Sequence, residues 1–304
     1  MKVLVVGLGV QGRKRSEILG ENFVASVDPQ VKGATYLNIT DAPIDSFDSV
    51  FLCVPDKQKI ELIEYCILHR KHVLVEKPLI SRTPSKLIEI QAKANTAGVF
   101  IYTAYNHRFE PHFITMKDIV NSGELGRIFS VRMFYGNGTS QLVKASPWRD
   151  QGMGVVSDLA PHLLDTLAFW LGRNQLDDLL VRSHKFETNT PDHAVVHVNI
   201  RGVAVIFEMS LCMWRNSFFS DLVGDKGSAH ISSLCKWGPS VLTIRKRVLP
   251  SGKPLEELRE VEMPDPTWAL EHEYFFTQIL NGAQTDFSTD IWISEALDQM
   301  EVQL

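Results

Sequence analysis

The stretch "VLVVGLGVQGRKR", residues 3–15, decides the fold of the first part of the chain. It opens with an apolar run, as expected for a strand buried on both faces of a sheet. Gly7, Gly9 and Gly12 follow in the spacing GxGxxG, where this strand gives way to a predicted helix. Such glycines permit a tight turn, a close approach of a pyrophosphate to the backbone, and close packing of the helix on the sheet. The stretch therefore predicts a dinucleotide-binding strand–turn–helix unit.

A carboxylate follows at the place where the cofactor's ribose would lie. Asp28 ends the second predicted strand, about 20 residues after the first glycine of the motif. A carboxylate there binds the ribose hydroxyls of NAD and repels the 2′-phosphate of NADP. We therefore predict NAD as the cofactor, with NADP as the alternative, and expect the glycine turn to contribute Val10 and Gln11 as well. The basic residues that follow could offset this repulsion, but we interpret them as a solvated helix face: Arg13, Lys14 and Arg15.

The first third of the chain alternates strand-like and helix-like segments. Short apolar runs predict further strands at 23–28, 49–55, 72–77 and 99–105. Helical patterns lie between them at 60–70 and 83–98, the second with Thr83 as N-cap, Pro84 at the first helical position and Gly98 as C-cap. Strands that alternate with helices are typical of a parallel, doubly wound sheet.

The pattern changes in the second part of the chain, and we predict two domains, residues 1–122 and 123–304. Longer, partly alternating runs predict antiparallel strands at 128–135, 193–200, 203–211 and 241–248. A helix is predicted at 157–172 and a last helical section at about 268–303. The predicted fold class is α/β: an N-terminal Rossmann doubly wound parallel sheet, then a C-terminal α+β domain with a large, open, mostly antiparallel sheet.

Composition excludes several classes of function. The 304 residues carry a formal net charge of −5 without a concentrated basic face, so we expect no nucleic acid partner. We expect no membrane partner and a cytoplasmic location, because neither a bilayer-spanning apolar window nor a signal peptide is visible. Cys53, Cys66, Cys212 and Cys235 are scattered, so free thiols and no metal site are expected.

Three further stretches carry a family resemblance. They are "VLVEKPL" (73–79), "AYNHRFEP" (104–111) and "SDLAPHLLD" (157–165). Together with "GLGVQG" they resemble the Gfo/Idh/MocA family, whose members are dehydrogenases of sugars, inositols and nucleotide sugars. The resemblance runs over nearly the whole chain. The Glu-Lys-Pro element and the Asp-x-x-x-His helix are far more specific than the glycines.

The resemblance implies a role for each matching residue. Lys77 would contact both the substrate hydroxyl and the nicotinamide, and Asp158 with His162 would form an acid–base pair. Pro55 would close the cofactor loop, and we assign Cys53 and Glu76 to the cofactor site as well. The residues expected to bind substrate are Asn106, Arg108, Trp148, Arg149, Asp158 and His162.

The chain also departs from the family pattern at two positions. The family commonly has a histidine near Gln58, where this chain reads "VPDKQK", and a histidine is frequent where Arg15 stands. Neither departure touches the residues assigned to the reaction. Both could alter the contacts to the cofactor.

Oxidation of a secondary alcohol requires the loss of a hydride and of a proton. The cofactor takes the hydride, and the protein has to position the carbon and accept the proton. Asp158 and His162 are spaced i, i+4 and therefore share a helix face, while Lys77 would stabilise the developing alkoxide. Either His162 or Lys77 could be the primary base. In the alternative interpretation Asp158 is only a helix N-cap and His162 a core histidine.

We therefore predict an NAD(P)-dependent oxidoreductase that acts on a secondary alcohol of a sugar, nucleotide sugar or polyol. The alternatives are a non-catalytic, dinucleotide-sensing regulatory protein and an oxidoreductase of another class, such as a dihydrodiol-type enzyme. We also expect a homodimer or homotetramer formed through the C-terminal sheet. This expectation rests on apolar strand residues that one helix would leave uncovered, namely Val131, Met133, Phe207 and Met209.

Overall fold

A computed structural model describes residues 1–146 and 149–304 of the chain. Trp148, one of the predicted substrate contacts, lies outside the described residues. The first half of the fold alternates strands and helices: β1 (Val3–Val6), α1 (Val10–Leu19), β2 (Phe23–Val27), β3 (Ser49–Leu52), α2 (Asp56–Leu68), β4 (His72–Glu76), α3 (Pro84–Ala97) and β5 (Ile101–Ala104).

The second half is dominated by strands. Its elements are α4 (Pro111–Asn121), β6 (Ile128–Gly136), α5 (Ser140–Lys144), α6 (Val155–Leu171), β7 (Asp177–His184), β8 (His193–Ile200), β9 (Val203–Ser210), β10 (Ser217–Gly224), β11 (Gly227–Ser232), β12 (Ser240–Lys246), β13 (Glu256–Val261), α7 (Thr267–Leu280) and α8 (Ser288–Glu301). In the described part of the chain, the helices are too short or too polar to cross a bilayer.

The chain divides into two compact units. Unit 1 comprises residues 1–106 and 267–294, and unit 2 comprises residues 107–266 and 295–304. Residues 267–294 join unit 1 because Phe275 and Phe287 are part of the apolar core around its sheet. The first compact unit ends at Asn106 before the chain returns to it at residue 267. The domain boundary after residue 122 stays a prediction.

Unit 1 contains a five-stranded parallel sheet in the order β2-β1-β3-β4-β5. Its central strands are buried on both faces. Side chains on one face pack with residues of α2 and α3, such as Ile63 and Leu87, and side chains on the other face pack with Leu19 of α1 and Phe275 of α7. The predicted doubly wound sheet is confirmed, and its strand ends meet at one edge because all the strands run in parallel.

Unit 2 contains an eight-stranded sheet in the order β13-β12-β11-β10-β6-β9-β8-β7. All neighbouring strands are antiparallel except β6 and β9, which run in parallel. Helix α6 packs against β6, β8 and β9, while α4 packs against α6 and β12. The predicted large, mostly antiparallel sheet is therefore confirmed.

The residues on which the oligomer prediction rested lie on the covered face of this sheet. Each of these side chains is at most 1% exposed, and helix α6 packs against the two strands that carry them: Val131, Met133, Phe207 and Met209. The premise that these four side chains are uncovered was therefore wrong. Successive side chains of a strand point to opposite faces, so the residues next to them in sequence lie on the other face of the sheet. Those neighbours include Arg132 and Ile206, which are paired across β6 and β9.

The helix ends correct one local interpretation. Helix α6 begins at Val155 with Gly154 as its N-cap, so Asp158 lies in the first turn and is not the capping residue. In α3 the predicted boundaries are confirmed, with Thr83 before the helix and Gly98 after it at φ 69°, although Thr83 makes no capping hydrogen bond from its side chain.

Asp192 closes the connection between β7 and β8. Its buried carboxylate accepts hydrogen bonds from the backbone N–H groups of Phe186, Glu187 and Thr188. Burial alone would raise the pKa of Asp192, but these donors together lower it. The carboxylate therefore contributes stability that is present above its pKa in the unfolded chain and is lost as the pH falls through its lower pKa in the folded chain.

We expect Asp192→Asn to lower the free energy of unfolding at pH 7 by about 1–3 kcal/mol, because an amide N–H₂ would face backbone donors. Denaturant unfolding between pH 7 and pH 3 measures this, and the difference between variant and wild type should shrink towards the acid end. Asp177→Asn, at an exposed position of β7, is the matched control. Equal unfolding curves for all three proteins would contradict the assignment.

Candidate functional site

The glycine turn after β1 is built as the sequence predicts. Gly7 has φ 90°, and its N–H donates to the carbonyl of Val27 at 2.8 Å. A Cβ on Gly7 would lie 2.4 Å from the carbonyl oxygen of Cys53, and a Cβ on Gly12 would lie 1.8 Å from that of Gly7. Both glycines are therefore required by the packing of the turn and of α1 against the sheet.

Gly9 differs from its two neighbours in the motif. A Cβ on Gly9 would meet nothing within 4 Å, and its φ of −64° is open to any residue. Among the described residues, no side chain caps α1, which starts at this point. The fold itself does not need a glycine here, whereas a pyrophosphate at the start of the helix does. This turn therefore fits a dinucleotide, with Val10 and Gln11 exposed beside it.

Asp28 lies next to the glycine turn. One carboxylate oxygen accepts the N–H of Leu8 at 2.8 Å, and the other accepts those of Gln30 and Val31. Burial alone would raise the pKa of Asp28, but these donors and the charge of Arg13 lower it. The half-buried carboxylate is thus ionised, oriented by the turn itself, and able to accept hydrogen bonds from ribose hydroxyls.

Arg15 is not part of a solvated face, and that interpretation was wrong. The side chain is 1% exposed and donates from Nε to Glu76 at 2.5 Å and from a terminal nitrogen to Glu271 at 2.9 Å. Its other terminal nitrogen lies 2.9 Å from Nε2 of His272, and its guanidinium lies over the ring of Trp268. Paired carboxylates and an aromatic face compensate the burial of this cation.

Lys77 follows β4 at the carboxyl edge of the parallel sheet, the same edge as the glycine turn after β1. The side chain is half-buried, and the Lys77–Pro78 peptide bond is cis. The carboxylate of Glu76 pairs with Arg15, and its contact with the cofactor stays a prediction. Pro55 is the N-cap residue of α2, and burial raises the pKa of the Cys53 thiol, which keeps it neutral.

The predicted acid–base residues belong to unit 2. His162 is 8% exposed and stacks on His107, with ring centroids 4.4 Å apart. Tyr135 meets the ring of His162 edge-on at 5.6 Å. Burial, reinforced by the carboxylates of Asp158, Glu110 and Asp265, raises the pKa of the Tyr135 phenol, so this group remains a hydrogen-bond donor at neutral pH.

Asp158 lies one helical turn before His162 and is more accessible. Its side chain is 39% exposed, and a carboxylate oxygen lies 3.9 Å from a terminal nitrogen of Arg149. An exposed pair at this distance is weak. Arg149 thus supplies a positive charge near Asp158, whose part in an acid–base pair with His162 stays a prediction.

Two predicted substrate contacts are engaged within the protein. Arg108 forms a two-pronged ion pair with the buried Asp165, in which Nε lies 3.1 and 3.0 Å from the two carboxylate oxygens. Burial raises the pKa of Asp165, and the guanidinium opposes that rise. Asn106 donates to Thr267 at 2.8 Å, and both residues are buried. Contact of Arg108 or Asn106 with a substrate stays a prediction.

Several residues of these clusters were missed from the sequence. Tyr135 and His107 surround His162, and Tyr135 also faces the ring of Trp237, with centroids 5.9 Å apart. The only signal was that His107 lies within "AYNHRFEP" and that Tyr135 ends a predicted strand. The part of the chain that the structure describes holds no cluster of His, Cys, Asp and Glu suited to a metal ion.

The fold and the glycine turn define unit 1 as a dinucleotide-binding unit of the Rossmann type. Residues 1–105 match the family model described as an oxidoreductase family with an NAD-binding Rossmann fold, and residues 113–230 match the GFO/IDH/MocA C-terminal domain. The chain belongs to the GFO/IDH/MocA family of oxidoreductases.

Curated relatives include trans-1,2-dihydrobenzene-1,2-diol dehydrogenase from Bos taurus, 26% identical over 59% of this chain and 53% of the bovine protein. The uncharacterized oxidoreductase YdgJ of Escherichia coli is 30% identical over 40% of this chain and 35% of its own length. The matched part of this chain thus spans about half or less of these two relatives.

Solved structures share the fold over the whole chain. Levoglucosan dehydrogenase in complex with NADH has a TM-score of 0.83 at 17% identity and covers 100% of this chain and 96% of its own. UDP-N-acetylglucosamine 3-dehydrogenase from Acidithiobacillus ferrooxidans has a TM-score of 0.82 at 16% identity, covering 100% and 97%.

The glycine geometry predicts opposite effects for two alanine substitutions. Gly9→Ala should leave the melting temperature unchanged but weaken NADH binding by about tenfold or more, since loss of roughly 1.4 kcal/mol has that effect. Gly12→Ala should lower the free energy of unfolding by about 1–3 kcal/mol or more through overpacking. Thermal melts and NADH fluorescence titrations measure both quantities. Unchanged NADH affinity in Gly9→Ala would remove this turn from the cofactor site.

Proposed function

We propose that the protein is an NAD-dependent oxidoreductase that transfers a hydride between nicotinamide and a secondary alcohol of a sugar, nucleotide sugar or polyol. The observation that carries the proposal lies in unit 1. Lys77, the glycine turn and Asp28 follow β4, β1 and β2 of one parallel sheet and therefore share its carboxyl edge, where such sheets bind ligands. A pure sensor of the dinucleotide would have no need of Lys77, Asp158 and His162.

The chain's own residues divide the remaining chemistry. When bound, NAD supplies the acceptor for the hydride. Lys77 would donate a hydrogen bond to the reacting oxygen and stabilise its negative charge. The alcohol proton would pass to His162 or to Lys77, and Asp158, which is partly exposed, would favour the charged imidazolium. Tyr135 would add a neutral donor beside His162.

A second candidate substrate class is a cyclic trans-dihydrodiol. Dihydrodiol dehydrogenases of cattle and mouse are among the relatives, at 26% and 24% identity. The rings of His107 and Tyr135 contact His162, and Trp237 lies against Tyr135. Such an aromatic cluster suits the flat apolar face of a diol. A ring-shaped sugar or cyclitol could use the same surface, so substrate measurements have to separate the two classes.

We expect turnover with a cyclic secondary alcohol from one of these two classes, measured by the absorbance of NADH in a panel of sugars, cyclitols and trans-dihydrodiols. Lys77→Met and His162→Ala should each lower kcat by about 10²-fold or more while NADH affinity stays nearly unchanged, as expected for groups that act mainly in the transition state. The variant that removes the base should also lose the pH dependence of kcat/KM near neutrality.

Asp165→Asn is a useful companion variant, because it alters a buried ion pair of the same helix without a proposed part in proton transfer. Wild-type rates in Lys77→Met or His162→Ala would refute the assigned roles. Tight NADH binding without turnover of any alcohol in the panel would instead favour the dinucleotide-sensing alternative.

We also propose that the open face of the eight-stranded sheet pairs with a second copy of the chain to give a homodimer or homotetramer. Within the described part of unit 2, helices pack on the opposite face, and this face carries partly exposed apolar residues such as Ile206, Phe219 and Val223. Arg132, Glu208 and Asp221 lie among them, so the face offers both charges to a two-fold related copy.

Ile206→Lys should therefore shift the wild-type oligomer to a lower mass in size-exclusion chromatography with light scattering, because a desolvated ammonium is costly in an interface. Ile114→Lys, at an exposed position of α4, should leave the mass unchanged. A wild-type protein that runs as a monomer at micromolar concentration would contradict the proposed assembly.

A further inference from the structure

Both chain neighbours of Lys77 are held by buried cations from different helices. Arg15 of α1, 1% exposed, donates from Nε to the carboxylate of Glu76 at 2.5 Å. Lys59 of α2, 2% exposed, donates from Nζ to the carbonyl oxygen of Pro78 at 2.6 Å. The backbone on each side of Lys77 is thus attached to a different face of the sheet, because α1 and α2 cover opposite faces.

Arg15 is itself held in place. Beyond Glu76, its terminal nitrogens reach Glu271 and His272 of α7 at 2.9 Å each, and its guanidinium lies 4.4 Å from the ring centre of Trp268. Burial alone would lower the pKa of Arg15, but the two carboxylates raise it. The guanidinium therefore stays charged and cannot rotate without breaking several directional contacts.

Lys59 has a simpler environment. Its ammonium also pairs with Asp56 at 2.7 Å, one turn earlier on α2, and Asp56 is half exposed. Burial lowers the pKa of Lys59, so its charge is costly. Buried ion pairs add little net stability compared with apolar residues. A geometric role is therefore the better explanation for a buried ammonium that also donates to the Pro78 carbonyl.

Both cations reach the Glu-Lys-Pro element from segments that lie outside it. Arg15 lies in the helix after the glycine turn, and Lys59 lies in "VPDKQK", residues 54–59. Here a guanidinium and an ammonium occupy these two segments, and both reach the Glu-Lys-Pro element.

We propose that Arg15 and Lys59 are positioning residues that fix the Glu76–Pro78 backbone and thereby aim Lys77. This inference rests on the proposed function, in which Lys77 contacts the reacting oxygen. A displacement of about 1 Å at a reacting group can cost as much as 10²-fold in rate. Loss of either contact should therefore lower kcat while the glycine turn, which binds the cofactor, is left intact.

Lys59→Met is the main test, with Lys57→Met, exposed on the same helix, as the matched control. We expect Lys59→Met to lower kcat by about 10- to 100-fold with little change in NADH affinity. Lys59→Arg, which can still donate to the Pro78 carbonyl, should recover part of the rate. Lys57→Met should behave as wild type. Steady-state kinetics and NADH fluorescence titration provide these values.

A second measurement does not depend on turnover. Hydrogen exchange followed by mass spectrometry should show faster exchange in Lys59→Met for peptides that cover residues 76–82, and unchanged exchange for peptides that cover β1 and β3. Arg15→Lys, which keeps the charge but loses the fork of donors, should give the same local pattern. This measurement uses the free protein, so it tests the two contacts even if the proposed function is wrong.

The outcomes test the positioning role of Arg15 and Lys59 separately from the proposed function. A fall in kcat with local exchange supports the proposal. Unchanged kcat in both Lys59→Met and Arg15→Lys overturns it, as do equal losses of kcat, NADH affinity and melting temperature, which mark a merely structural role. If the wild-type protein oxidises no alcohol, the proposed function fails, and exchange alone decides: faster local exchange supports the two attachments, and unchanged exchange overturns them.

Discussion

The buried guanidinium of Arg15 is the interaction on which unit 1 most depends. A cation that is 1% exposed is tolerable only if charges and hydrogen-bond acceptors meet it on every side. Glu76 supplies one of these from the end of β4, while Glu271 and His272 supply the others from α7, more than 250 residues later in the sequence. The contact thereby joins helix α1, the end of β4 directly before Lys77, and helix α7.

Unit 2 also contains an arginine–carboxylate pair beside predicted site residues. Arg108 and the buried Asp165 form a two-pronged pair, and Asp165 lies on the helix that also carries Asp158 and His162. The pair attaches α6 to the segment that contains His107, whose ring stacks on His162. In each unit, then, an arginine paired with a carboxylate holds a segment next to a residue assigned to the reaction, while the arginine itself has no part in proton transfer.

Local patterns were sufficient for much of the fold. The glycine turn, the strands of the parallel sheet and the ends of α3 depend on neighbours within a few residues, so their residue types were informative. Arg15 was misread because "GRKR" on a helix normally predicts solvation, and its partners come from distant segments. Likewise, Met133 and Phe207 could be recognised as apolar strand residues, but only the packing of α6 shows which face of the sheet they occupy.

The charges around Arg15 also affect how the stability of the folded protein depends on pH. His272 is buried next to a fixed cation, and burial first and Arg15 second lower its pKa to about 3. Between that value and the ordinary histidine pKa of about 6.5, the unfolded chain binds a proton that the folded chain does not, so stability falls as the pH decreases. In the neutral range His272 stays uncharged and Arg15 stays charged. The charges of His272 and Arg15 are therefore constant over that range, and a change of activity with pH near neutrality would originate outside this pair.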